Sequence, residues 1–157
     1  GSAVWVGRLQ AYLAGRGHLS STRCAPHSYL ITDIMPTGVN SLPPKPLGWL
    51  GSSYRDLMAL PAPVRQHFGY ALRCAQEGER HESAKPLTGF GSAGVLEIVK
   101  DHAGNAYRAV YTVKHREAVF VLHVFQKKSR RGIETPKEEM ALIRQRLSLA
   151  EEIARDT

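Results

Sequence analysis

The chain has 157 residues, of which 43% are hydrophobic and 22% are charged, so it is long enough for one domain with its own core and too apolar for wholesale disorder. It contains no run of about 18 apolar residues, which excludes a transmembrane helix, and its two cysteines exclude a disulfide framework and a cysteine-based metal site. The 21 lysines and arginines exceed the 14 aspartates and glutamates and give a net charge of +7, and because no signal-peptide pattern is visible we expect a cytoplasmic protein without membrane contact.

A proline-rich stretch separates the N-terminal region from the rest of the chain. Met35-Pro36 is followed by Leu42-Pro43-Pro44-Lys45-Pro46, a composition typical of a linker or a domain boundary. We therefore expect an extension or linker over residues 1–44 and a single domain over residues 45–157. The alternative, in which residues 3–34 form a helix packed on that domain, stays open.

The domain begins with a short strand and an α-hairpin. Residues 47–50 form an apolar run that predicts the strand, and Ser53 begins a capping-box pattern for a first helix. Prolines at 61 and 63 end that helix and begin a second one, and Gly78 ends the second. The apolar residues at helical spacing in the second helix are Val64, Phe68, Ala71, Leu72 and Ala75.

Three further strands and a final helix follow. The patterns over residues 95–100, 107–114 and 119–125 predict strands joined by short turns, which is typical of an antiparallel meander. Thr135-Pro136 has the N-cap residue and first-position proline of a helix start. The order predicts an α+β fold: a small antiparallel sheet, made of the short first strand and the three-stranded meander, with an N-terminal α-hairpin and a C-terminal helix. We expect the helices on one face of the sheet and the other face open.

The first two strands of the meander bring a carboxylate and a guanidinium together. The simplest register puts Glu97 and Arg108 diagonally opposite each other on one face. The pair is then either a cross-strand ion pair worth a fraction of a kcal/mol, or an arginine presented to a phosphate and oriented by a carboxylate. The apolar residues that this register sends to the core side are Leu96, Ile98, Ala109 and Tyr111.

Most of the excess positive charge lies in one segment. Residues 114–131 contain six lysines and arginines and one glutamate. Four of these cations follow directly on the most apolar strand, a position that favours contact with the phosphates of RNA over a merely basic connection between elements. The candidate RNA-contacting cations are Lys114, Lys127, Lys128, Arg130 and Arg131.

Other signals of chemistry are weak or missing. His123 lies inside an apolar strand, where a histidine is more often a core residue than a catalyst, and the remaining histidines have no metal-ligand spacing. The glycine-rich residues 89–94 precede a strand rather than a helix, so they fail the test for a phosphate cradle, and no hydrolase nucleophile motif or dinucleotide fingerprint occurs. We expect no metal and no cofactor.

Taken together and in order, the segments of the domain resemble a known family over residues 45–153. It is that of the RelE/HigB-type toxins of bacterial type II toxin–antitoxin systems, in particular the HigB-like, phage-associated branch. The resemblance implies a compact RelE-like α+β ribonuclease fold. The segments that carry it are Pro63–Gly78, Lys85–Phe90, Val95–Ile98, Tyr107–Tyr111, Val121–Ser129 and Thr135-Pro136.

The resemblance also implies an activity and partners. Such toxins cleave mRNA, typically at the ribosome and without metal, by attack of a 2′-hydroxyl on the adjacent phosphate, and a cognate antitoxin, here expected to be a HigA-like helix-turn-helix protein, neutralises them. Arg108 and Lys127 match family positions that would stabilise the charge developing on the phosphate. Lys128 and Arg130 would hold the RNA backbone, and Glu97 would orient Arg108 or accept a proton.

Two departures leave the general base and the function open. Val99 stands where many relatives have an arginine, and the chain lacks the terminal tyrosine or histidine pair that some relatives use as the base. His123 or Glu97 would then have to serve as the base. The alternatives to an endoribonuclease are a non-catalytic RNA- or ribosome-binding module and an inactive toxin that retains only its antitoxin interface.

Overall fold

The computed structural model describes residues 5–6, 43–127 and 135–156. These residues contain three helices and six strands. The helices are α1 (Ser53–Met58), α2 (Ala62–Gln76) and α3 (Lys137–Arg155). The strands are β1 (Trp5–Val6), β2 (Leu47–Trp49), β3 (Lys85–Pro86), β4 (Val95–His102), β5 (Asn105–Thr112) and β6 (Val119–Lys127). Within these ranges no helix is both long enough and apolar enough to cross a membrane.

The strands form one mixed sheet in the order β1-β2-β6-β5-β4-β3. The α+β fold is confirmed, since β4, β5 and β6 are the expected antiparallel meander and the α-hairpin and C-terminal helix are present. The sheet is not wholly antiparallel, because β2 runs parallel to β6. β1 pairs with β2, and β3 pairs with β4 at Lys85-Pro86.

Helices cover both faces of the sheet. α1 and α2 pack on one face, where Leu57 and Phe68 join the same core as Val121. α3 packs on the other face, where Ile143 joins a second core with Leu122. The expectation of an open second face is therefore wrong. The apolar stripe of α3 needs a partner, and the first seven residues of β6 are all buried, which requires cover on both sides.

A β-bulge in β6 changes which side chains share a face. Val110 pairs with His123, but the next residue, Tyr111, pairs with Val121, so Leu122 is an extra residue in β6. Val121 therefore faces α1 and α2, while the residues beyond the bulge alternate in the opposite sense. The side chains beyond the bulge that face α3 are those of His123, Phe125 and Lys127.

Cys74 is buried near the end of α2 and is disulfide-bonded.

Candidate active site

Arg108, in the middle of β5, is hydrogen-bonded to two other parts of the fold. Its Nη1 donates to Oε2 of Glu97 on β4 at 3.0 Å and to Oγ1 of Thr135, just before α3, at 2.8 Å. Arg108 pairs with Val99, two residues along β4 from Glu97, so the two charged residues are diagonal neighbours as the register predicts. The cross-strand ion pair is thus present in the structure.

Strand register brings the four candidate catalytic residues onto the α3 face of the sheet. Across the three strands of the meander, Glu97 is in line with Val110 and His123, and the next row along contains Arg108. Lys127 pairs with Ala106, the residue two positions before Arg108, so Lys127 and Arg108 are diagonal neighbours on the same face. The bulge in β6 makes this possible, because an uninterrupted strand would send His123 and Lys127 to the opposite face.

His123 is the centre of a second polar cluster on this face. Its Nε2 bonds to Oε2 of Glu139, and Nη1 of Arg146 lies 3.1 Å from its Nδ1. Because a guanidinium only donates, Nδ1 is an acceptor and the proton is on Nε2, which donates to Glu139. Burial lowers the pKa of His123 below its usual value, although the hydrogen bond to Glu139 opposes the shift. His123 is therefore a neutral ring with both nitrogens engaged.

Arg146 ties α3 to the bulge. Its Nη1 also donates to the carbonyl oxygen of Leu122, the extra residue, at 2.9 Å, and its Nη2 donates to Oγ of Ser52 at 3.3 Å. Gly51, with a φ of +55°, passes so close that a Cβ there would lie 2.6 Å from the guanidinium. Burial lowers the pKa of Arg146, while Asp56 and Glu139 raise it. These contacts hold the guanidinium of Arg146 against the ring of His123.

Sequence reasoning missed Glu139, Arg146 and Thr135. Glu139 and Arg146 are spaced four and three residues from Ile143, so both lie along the buried stripe of α3. A charged residue at such a position needs a buried partner, and that is the signal in the sequence that could have found them. Their partners could not be found in this way, because they depend on the bulge.

Comparison with known proteins identifies a matching family. Residues 55–148 match the family model of the phage-derived protein Gp49-like (DUF891), a stretch that runs from within α1 to within α3.

The chain belongs to the Gp49-like family.

This is a RelE-like toxin family of toxin–antitoxin systems. No curated protein and no solved structure matches the chain. The toxin–antitoxin assignment implies an antitoxin partner for this Gp49-like protein.

Of the remaining predicted RNA contacts, Lys114 does not lie at this site. Lys114 follows β5 at the end away from Lys127, and it forms an exposed ion pair with Glu151 at 3.2 Å. Six residues of extended chain separate it from Arg108, about 20 Å. Lys128, Arg130 and Arg131 lie outside the described residues.

Arg108 is less accessible than the sequence predicts. We expect an arginine presented on an open face, but Arg108 is 6% exposed. The open presentation is wrong because Thr135 and the start of α3 lie over that face. In the described part of the chain, no three His, Cys, Asp or Glu side chains are grouped closely enough to hold a metal ion.

Proposed function

We propose that this Gp49-like protein is a HigB-like toxin that acts as an endoribonuclease. It cleaves mRNA at the ribosome without metal, in the cytoplasm, and a HigA-like antitoxin neutralises it. The observation that carries the proposal is the placement of Arg108, Glu97 and Lys127 on one face of the meander.

The reaction that suits these residues is transesterification. The 2′-oxygen forms a bond to the adjacent phosphorus as the bond from phosphorus to the 5′-oxygen breaks. The 2′-hydroxyl loses its proton to a base, and the 5′-oxygen takes up a proton from water. The products are a cyclic phosphate and a 5′-hydroxyl.

Charge builds up on the non-bridging oxygens during this step, and fixed cations stabilise it. Arg108 supplies a planar fork of donors that matches two phosphate oxygens. Glu97 holds that fork in one direction, and Lys127 contributes a second charge from the end of β6. Lys128, Arg130, Arg131 and Lys114 add affinity for the RNA backbone.

The burial of Arg108 sets a condition on this mechanism. Its bond to Thr135 has to open before a phosphate can take the place of the hydroxyl. We therefore expect RNA binding to shift the residues at the start of α3, as in enzymes whose sites close or open around substrate.

Cleavage and growth arrest after induced expression in bacteria test the proposal. We expect wild-type protein to arrest growth and produce new mRNA 5′ ends, and Arg108→Lys and Lys127→Ala to reduce cleavage at least about 100-fold, as for loss of one transition-state donor. Arg73→Ala, an exposed change on α2, is the control and should cleave like wild type. Full cleavage by the double variant Arg108→Lys/Lys127→Ala would exclude this site.

The burial of Arg108 also favours a second candidate, a toxin scaffold that binds RNA, the ribosome or its antitoxin without cleaving. Programmed ribosomes incubated with pure protein separate the two functions. Salt-sensitive binding without new 5′ ends favours an RNA-binding module, and antitoxin capture without RNA binding favours an inactive toxin.

A further inference from the structure

We propose that Glu139 is the catalytic base of this site and that His123, supported by Arg146, is its positioning residue. The assignment rests on the proposed endoribonuclease function. It supplies the proton acceptor that the sequence leaves open between His123 and Glu97.

Glu139 lies on the same side of the sheet as Arg108. It is the third residue of α3, the helix that begins just after Thr135, which contacts Arg108. Its partner His123 is a diagonal neighbour of Arg108 on the sheet. A phosphate held by Arg108 would therefore lie on the same face of the sheet as the His123–Glu139 pair.

The contacts favour Glu139 over the other two candidates. Both ring nitrogens of His123 are engaged, Nδ1 by Arg146 and Nε2 by Glu139, so the ring has no lone pair left for substrate. Glu97 is ion-paired with Arg108 and its side chain is 17% exposed. The Glu139 side chain is 31% exposed, and its bond to a neutral imidazole leaves further lone pairs on the carboxylate.

The proton transfer balances with groups that are present. The Glu139 carboxylate takes the proton of the 2′-hydroxyl as the 2′-oxygen bonds to phosphorus, and the 5′-oxygen leaves with a proton from water. His123 keeps its Nε2 proton throughout. The carboxyl then returns its proton to water through its exposed side.

The surroundings keep the carboxylate in one place. The titratable and charged groups facing this cluster are His123 on β6, Arg146 on α3 and Asp56 on α1. Arg146 prevents His123 from turning over, because its donor faces Nδ1 and the same nitrogen of the guanidinium holds the Leu122 carbonyl. These bonds favour the ring orientation in which Nε2 points to Glu139.

Single-turnover cleavage of mRNA on programmed ribosomes, measured across a range of pH, tests the assignment. Glu139→Gln should lower the rate about 10²–10⁴-fold and abolish the acid limb of the pH profile, as expected when a general base is removed. The matched control is Glu138→Gln, the exposed carboxylate one residue earlier, which should keep both rate and profile. His123→Gln should lower the rate less than Glu139→Gln does.

The outcomes separate the role of Glu139 from the proposed endoribonuclease function. Cleavage by Glu139→Gln with the wild-type rate and acid limb overturns the assignment alone, and so does an equal loss in Glu138→Gln. Absence of cleavage by wild-type protein overturns the proposed function and this role with it. If Glu139→Gln does not fold, Glu139→Asp replaces it. A lowered rate with a retained acid limb then supports the base, and an unchanged rate overturns it.

Discussion

At the scale of single residues, the guanidinium of Arg108 is held by groups from two different elements. Glu97 on β4 supplies charge, and Thr135 before α3 supplies a hydroxyl. An exposed ion pair of this kind contributes little to stability. Arg108 is almost fully buried, so the loss of one partner leaves the other charge unpaired and poorly solvated. Any substitution of Arg108 is therefore expected to lower the free energy of unfolding.

A double-mutant cycle measures that cost. We expect Arg108→Ala to lower the free energy of unfolding by about 3 kcal/mol, because the Glu97 carboxylate loses its counter-charge. In a Glu97→Gln background the same change should cost clearly less. Urea unfolding of the four proteins checks this, and equal costs in both backgrounds would show that the two side chains do not interact.

At the scale of elements, the bulge in β6 decides which residues form the site. Regular alternation in β4 and β5 was enough to predict that Glu97 and Arg108 share a face, and their bond confirms it. The face of His123 and Lys127 could not be predicted. Residues 119–125 are almost all apolar, so no polar alternation marks the side that each residue takes, and one extra residue reverses it.

Gly51 offers a test of what supports the bulge. Gly51→Ala should lower the free energy of unfolding by about 1 kcal/mol for its positive φ, and by about 1–2 kcal/mol more because the new methyl displaces Arg146 from the Leu122 carbonyl. Gly91→Ala is the control, since its φ of +53° is nearly the same and nothing lies within 4 Å of the added atom. Equal losses in the two variants, by chemical denaturation, would mean that Arg146 moves aside freely.

At the scale of the whole molecule, the sheet is covered by α1 and α2 on one side and by α3 on the other. Element order and the α+β class were predictable, because helical spacing, prolines and turns are local signals. The position of α3 was not, since an apolar stripe shows that a helix is covered without showing by what. The polar partners of Glu139 and Arg146 depend on that packing, so they stayed hidden too.

Three histidines make the stability of the molecule depend on pH. Burial lowers the pKa of His67, His81 and His123 below the ordinary value of 6.5. The unfolded chain therefore binds protons on these rings at a higher pH than the folded chain does. Stability is fully present above about pH 6.5 and decreases as the pH falls from there toward the folded pKa values.

We expect a lower free energy of unfolding at about pH 5.5 than at about pH 7.5, a window in which the ordinary carboxylates stay charged. His123→Gln should narrow the difference, because it removes one of the three rings. Urea unfolding at the two pH values measures both effects. A wild-type protein equally stable at the two values would contradict the burial of these rings as neutral groups.

The parallel pairing of β2 with β6 has a consequence for how the chain reaches its native state. Leu47 is aligned with Val119, whereas β4, β5 and β6 are joined by short turns. Closing the long loop costs more entropy than closing the hairpins and slows the search for native contacts. During synthesis β2 leaves the ribosome well before its neighbour exists. We therefore expect the meander that carries Arg108 to form first and β2 to join it later.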